Sequence, residues 1–233
     1  MNDHVARIVS FSGIDGAGKS TQIESVSAQL VQLGYRVARV TFWDDVAVLP
    51  KLRAGVSLRV LGKKRGPEQS APLRSDKNVR TWYLTLVRAM FYLLDSLRLR
   101  SVVRRLKNGN SDFLIFDRYI YDQVVQVRAR HALARSYIRL LIALAPMPDI
   151  KFILDASPDH AFSRKPEYPL AFMHEYRRAF LQLHDFVPGL SVIPAAGIEE
   201  VKQRILSRLL LGVDVAHQED CKLARSPDAL RPQ

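Results

Sequence analysis

Cysteine is almost absent: Cys221 is the only one in 233 residues. No intrachain disulfide and no cysteine-based metal site can therefore form, and a reducing, cytoplasmic setting is expected. No run of about 18 uncharged apolar residues occurs, which leaves no candidate membrane span. Met1 to Ile8 carries charges and leads straight into an apolar run, so it does not read as a signal peptide. The six histidines have no H-x-x-x-H spacing, and no G-x-S-x-G pattern is present, which argues against zinc and serine-hydrolase chemistry. Acidic residues are scarce, 23 against 35 Lys and Arg, for a formal charge of +12. The excess lies partly in Arg59, Lys63, Lys64, Arg65 and Arg74, and partly in Arg98, Arg100, Arg104, Arg105 and Lys107. Such a balance serves solubility or an anionic partner. Nucleic acid is not an expected partner. The cations are not interleaved with aromatics as a base-stacking surface requires, and no helix-turn-helix or zinc-finger pattern appears.

Apolar residues make up 48% of the chain, enough to bury a core, and the length suits one α/β domain. Short, uniformly apolar runs alternate with helical patterns. Strands are expected at Arg7–Gly13, Arg36–Trp43, Phe113–Phe116, Ile150–Leu154 and Leu190–Ile193. Helices are expected at Lys19–Leu33, Val46–Leu61, Asn78–Leu106, Tyr121–Ala145, Pro158–Arg164, Leu170–Phe186 and Ile198–Leu211. Gly62–Lys77 reads as a basic loop. Apolar strands separated by helices indicate a parallel sheet covered on both faces. The expected fold is thus a three-layer α/β/α domain over residues 1–212, with a five-stranded parallel sheet, followed by a polar tail at 213–233.

Gly13-Ile14-Asp15-Gly16-Ala17-Gly18-Lys19-Ser20 matches G-x-x-x-x-G-K-[ST] in full. Glycines let backbone N–H groups curl around phosphates, and the helix that follows points its positive end at the anion. Lys19 can reach the β/γ oxygens and Ser20 can ligate Mg²⁺. The bland alternative is an ordinary glycine-rich turn. A strand leading in and a helix starting inside the motif favour the phosphate loop, with Thr21 continuing it.

Asp117 and Arg118 follow the strand Phe113–Phe116. A carboxylate at the carboxyl end of a parallel strand lies at the ligand crevice, so Asp117 can hold Mg²⁺ or its water. Arg118 can clamp a phosphate bidentately, or it can be half of a surface ion pair. Asp44 and Asp45 follow the second strand and either orient an acceptor or cap the next helix. Tyr83, Met90, Phe91, Leu94 and Leu97 recur at helical spacing, for core or subunit packing. Arg177 and Arg178 read as a solvated helix face or as cations reaching toward a lid.

Together these motifs resemble the thymidylate kinase family of P-loop nucleoside monophosphate kinases. The carriers are the G-x-D-G-x-G-K-[ST] loop at Gly13–Ser20, the D-R-Y triplet at Asp117-Arg118-Tyr119, and a P-D strand ending in L-D at Pro148-Asp149 and Leu154-Asp155. The resemblance implies ATP as donor, Mg²⁺, and a small-molecule acceptor, first of all a nucleoside monophosphate. It implies that Arg118 binds the acceptor phosphate, that Asp15 touches the acceptor's sugar hydroxyl, and that Tyr92 stacks on the base. It also implies a lid at Ser163–Pro169 whose cations, Arg164 and Lys165, stabilise the transferring phosphoryl group. A homodimer is the implied assembly. Three positions depart from the family pattern. Phe42-Trp43-Asp44-Asp45 stands where the family has R-E-P-G, Ser96 replaces an arginine, and Gln126-Val127 replaces a Tyr-Gln pair. A kinase of the same fold for a nucleoside, sugar or specialised metabolite is the alternative, and a nucleotide-binding switch or nucleic-acid partner is a third.

Overall fold

The computed structural model describes residues 6–48, 82–127, 131–166 and 168–224. The expected helix beyond Val48 and the basic loop Gly62–Lys77 lie outside the described residues, as do Arg59 to Arg74.

Five strands form one parallel sheet in the order β2-β3-β1-β4-β5. They are β1 (Arg7–Ser12), β2 (Val37–Thr41), β3 (Phe113–Asp117), β4 (Ile150–Asp155) and β5 (Leu190–Pro194). The helices are α1 (Lys19–Gln32), α2 (Trp82–Lys107), α3 (Tyr121–Val124), α4 (Ala132–Leu144), α5 (Pro158–Arg164), α6 (Leu170–Leu181) and α7 (Ile198–Ala224). Alternation along each strand sends successive side chains to opposite faces. Val9 and Phe11 of β1 join Phe113, Ile115, Phe152 and Leu154 beneath α1 and α7, which supply Ile23, Val26, Leu30, Ile205 and Leu209. Ile8, Leu114, Phe116 and Ile153 face the other way, toward Leu99 and Val103 of α2, Leu141 of α4 and Phe180 of α6. Two cores on two faces make a three-layer α/β/α arrangement. No helix among the described residues is long and apolar enough to cross a membrane.

Three boundaries differ from the sequence expectation. β2 ends at Thr41 because Asp45 Oδ2 accepts the Thr41 N–H at 2.7 Å. The chain then curls into a single π-turn, Phe42–Val46, which buries Phe42 and Val46. The pattern Tyr121–Ala145 forms two helices, α3 and α4, rather than one. The Asp122 carbonyl, which a continuing helix would use, accepts instead from Gln126 Nε2 and from the Tyr176 hydroxyl, both at 3.1 Å. The last helix passes Leu211 and Gly212 and continues to Ala224, through the good helix formers Ala216, Gln218, Glu219 and Lys222.

Sheet order matters most for function. β1 sits between β3 and β4, so connections leave it in both directions, and a crevice opens beyond its carboxyl end. Register places Phe11 opposite Asp117 and Ser12 opposite Ile153. The ends of β1, β3 and β4 therefore converge at one edge.

Candidate active site

The loop from Gly13 to Gly18 bridges β1 and α1 at that edge. Its conformation demands glycine at two points above all. At Gly13, φ is +143° and a Cβ would lie 2.5 Å from the Leu154 carbonyl oxygen; at Gly16, φ is +85° and a Cβ would lie 2.6 Å from the Ala161 oxygen. The loop is thus wedged between the end of β4 and helix α5. Lys19 is buried. Its Nζ donates to the carbonyls of Gly13 at 2.8 Å and Ile14 at 2.9 Å and lies 3.9 Å from Asp15 Oδ1. Burial, with Arg118 nearby, pushes the ammonium down to about 8, although Asp122, Asp15 and Asp117 pull the other way.

Ser20 opens α1, and its Oγ donates to Asp117 Oδ2 at 3.4 Å. A hydroxyl and a carboxylate 97 residues apart in sequence thus stand side by side. Two hard oxygens of this kind, with phosphate and water oxygens completing an octahedron, match what Mg²⁺ requires. Thr21 is exposed on the first turn of α1.

Arg118 is held by two carboxylates. Its Nη2 donates to Asp15 Oδ1, and its Nη1 donates to Asp122 Oδ1 at 3.3 Å. Burial alone would lower the Arg118 pKa, but Asp122 and Asp15 hold it raised. Burial would raise Asp15, yet Arg118 and Lys19 outweigh it and keep that carboxyl below its usual range. Asp122 was not legible as a site residue in the sequence. It is fully buried, and burial raises its pKa against the pull of Arg118, Lys19, Ser12 and the Tyr119 N–H. The signal that marks it is its spacing: four residues after Arg118, across the start of a helix, the two side chains meet.

Arg164 and Lys165 lie near the loop. A Cβ on Gly18 would lie 4.0 Å from Arg164 Nη1, so that guanidinium overhangs the phosphate loop. Lys165 is exposed, and its charge acts on Asp15. Arg177 is a paired cation, although its side chain stays 39% exposed. It binds Asp155 through Nε at 2.5 Å and Nη2 at 2.7 Å, tying α6 to the end of β4. Arg178 is exposed.

On the far side of Arg118 the polar groups bond to one another. Tyr92 is buried, and its hydroxyl donates to Gln126 Oε1 at 3.1 Å. Ser96 Oγ donates to the Tyr92 carbonyl at 2.9 Å. Asp95 accepts from Gln123 Nε2 and from Val48 N. Asp45 serves the β2 turn described above, and Asp44 is exposed beside it. Asp149 accepts the Ile8 N–H at 2.7 Å and so anchors the start of β1.

No protein-family model matches the chain. Individual proteins do. The chain is 27% identical over 225 residues to the thymidylate kinase of Chlorobium luteolum, spanning 87% of this chain and 96% of that one. It is 25% identical over 195 residues to the probable thymidylate kinase of Methanosphaera stadtmanae, spanning 82% and 90%. It is 30% identical over 234 residues to the thymidylate kinase of Bifidobacterium longum subsp. infantis, spanning 94% and 92%. With likeness running through nearly the whole of both chains, and with Gly13–Ser20 and Asp117-Arg118-Tyr119 folded against each other, this chain belongs to the thymidylate kinase family.

Proposed function

We propose that the protein transfers the γ-phosphoryl group of ATP to a nucleoside monophosphate. The observation that carries this reading is the Asp15–Arg118 pair: it sets a phosphate-binding guanidinium beside the donor loop, where an acceptor phosphate would face the donor's terminal one. Gly13, Gly16, Ala17, Gly18, Lys19, Ser20 and Thr21 form the donor site. Lys19 neutralises the β/γ oxygens, and Ser20 with Asp117 holds Mg²⁺. The metal screens charge on the phosphates. Arg118 clamps the acceptor phosphate, Asp15 accepts from its sugar hydroxyl, and Arg164 or Lys165 closes over the moving group. Catalysis of this kind is positioning and charge stabilisation, with little covalent work for the protein. Asp44 borders the acceptor side; Tyr92 and Gln126 wall it, and Asp45 supports that wall through the β2 turn.

A second acceptor class, a nucleoside, sugar or specialised metabolite, is favoured by one observation. The Gln126 amide is already bonded at both ends, to Tyr92 and to the Asp122 carbonyl, which limits its use in reading a base. A panel of acceptors with ATP, followed by ADP release, separates the two. Turnover of thymidylate or another nucleoside monophosphate is the expected result. ADP release with non-phosphorylated acceptors alone would replace the first reading by the second.

Assembly as a homodimer fits one further feature. Leu86, Met90, Leu94 and Leu97 form a stripe on α2 that is 39% to 59% exposed. Apolar surface in such a row is more stable covered than wet.

A further inference from the structure

Among the described residues, Arg118 is the sole non-glycine residue with a left-handed backbone, at φ +69°. An arginine stays in that region only when its surroundings hold it there, and such residues cluster at functional sites. Its own N–H donates to the Phe11 carbonyl at 2.9 Å. A further restraint, on both backbone and side chain, comes from Asp122. Oδ2 of Asp122 accepts from Ser12 Oγ at 2.6 Å and from the Tyr119 N–H at 3.2 Å, while Oδ1 accepts from Arg118 Nη1. One carboxylate thus grips the end of β1, the backbone just after Arg118, and the guanidinium.

The two acids on Arg118 differ in access. The Asp122 side chain is 1% exposed, whereas Asp15 is 13% and Arg118 itself 21% exposed. A carboxylate walled in by its partners cannot leave without stranding a buried charge. The one on the crevice side can be replaced by another anion of the same geometry, because the guanidinium fork accepts carboxylate and phosphate alike.

We propose that Asp122 is a positioning residue, the permanent anchor of Arg118, and that the acceptor's phosphate takes Arg118 over from Asp15. The released Asp15 carboxylate is then free to accept a hydrogen bond from the acceptor. The handover rests on Arg118 being the acceptor clamp; the anchoring does not.

The test uses the full chain labelled with ¹⁵N-arginine. The Arg118 guanidinium signal is assigned by its loss in Arg118→Lys. Hindered rotation of that guanidinium is expected in the wild type, and faster rotation in Asp122→Asn than in Asp15→Asn. Equal mobility in the two variants, or none in either, overturns the anchoring. If Asp122→Asn does not fold, Ser12→Ala, which removes one hydrogen bond to Oδ2, is expected to loosen Arg118 partially; an unchanged signal counts against the proposal. Titration with thymidine 5′-monophosphate and with thymidine then measures the phosphate's contribution as a ratio of affinities. That ratio is expected to shrink about tenfold in Asp122→Asn, the loss of one well-held charged hydrogen bond. It is expected to hold or grow in Asp15→Asn. A ratio that collapses in Asp15→Asn and survives in Asp122→Asn reverses the assignment. No monophosphate binding to the wild type would sink the clamp reading and the handover, while the arginine signal still decides the anchoring.

Discussion

Lys19 links residue chemistry to pH. Its ammonium titrates at about 8 against an ordinary 10.5, chiefly because it is buried. Between those values the folded chain has shed a proton that the unfolded chain keeps, so the group favours folding more as pH rises through that window. Nucleotide affinity runs the opposite way, since only the charged form neutralises phosphate. ATP binding followed by calorimetry is therefore expected to weaken as pH rises above about 8, by up to about tenfold per unit, and Lys19→Met is expected to flatten that dependence. Lys19→Ala is expected to abolish transfer while the circular dichroism spectrum stays unchanged; wild-type-like turnover would refute the phosphate-loop assignment. Gly16 is the other sensitive residue. An added Cβ meets the Ala161 carbonyl oxygen at 2.6 Å, at a φ of +85°. Gly16→Ala should cost about 1–3 kcal/mol in urea unfolding and weaken ATP binding as well, because the neighbour is backbone and cannot step aside.

At the scale of elements, α6 is tied to the sheet through Arg177 and Asp155. Tyr168, Phe172 and Tyr176 stack successively and Tyr176 meets Phe180 edge-on, with centroids 5.1, 5.4 and 5.0 Å apart. The four-residue spacing of Phe172, Tyr176 and Phe180 puts them on one face of the helix, and Tyr168 precedes it. The ladder begins just before α6 and ends in the core, and Tyr176 also bonds the Asp122 carbonyl. Phe172 is half-buried, so Phe172→Ala is expected to cost about 2 kcal/mol of stability by chemical denaturation, from lost packing and two lost ring contacts. The periodicity of Leu170–Leu181 was legible because an amphipathic helix writes its spacing locally. The break after Val124 was not. It depends on two side chains, one of them 54 residues away in sequence, claiming a carbonyl that the helix would otherwise use. The π-turn after β2 was hidden for a related reason: Asp45 read equally as an acceptor contact or as a helix cap, and only the folded chain brings it to the Thr41 N–H.

At the scale of the molecule, the strand order brings the chemistry together. Ser20 and Asp117 are 97 residues apart in sequence and meet because β3 lies beside β1. Arg118 and Asp15 meet for the same reason. The exposed stripe Leu86, Met90, Leu94 and Leu97 belongs to this scale too. Leu94→Glu places a charge in its middle and is expected to shift a dimer to monomer in sedimentation velocity, without loss of helical signal. A dimer that survives the charge would place the interface elsewhere.

Gly13–Ser20 and Asp117-Arg118-Tyr119 were readable from residue type and spacing alone. Their function is local: glycines curl, a lysine follows, an acid ends a strand. The parallel sheet was readable as well, because strands buried on both faces must be apolar throughout. Asp122 was not, since an aspartate on a short helix reads as surface until burial gives it Arg118, Ser12 and the Tyr119 N–H as partners. Arg177 likewise changed from a solvated cation to a brace on Asp155 once α6 packed over β4. Local chemistry is carried by sequence. Which charges pair, and which of them are closed off from water, depends on chain segments far apart in sequence, and only the tertiary structure decides it.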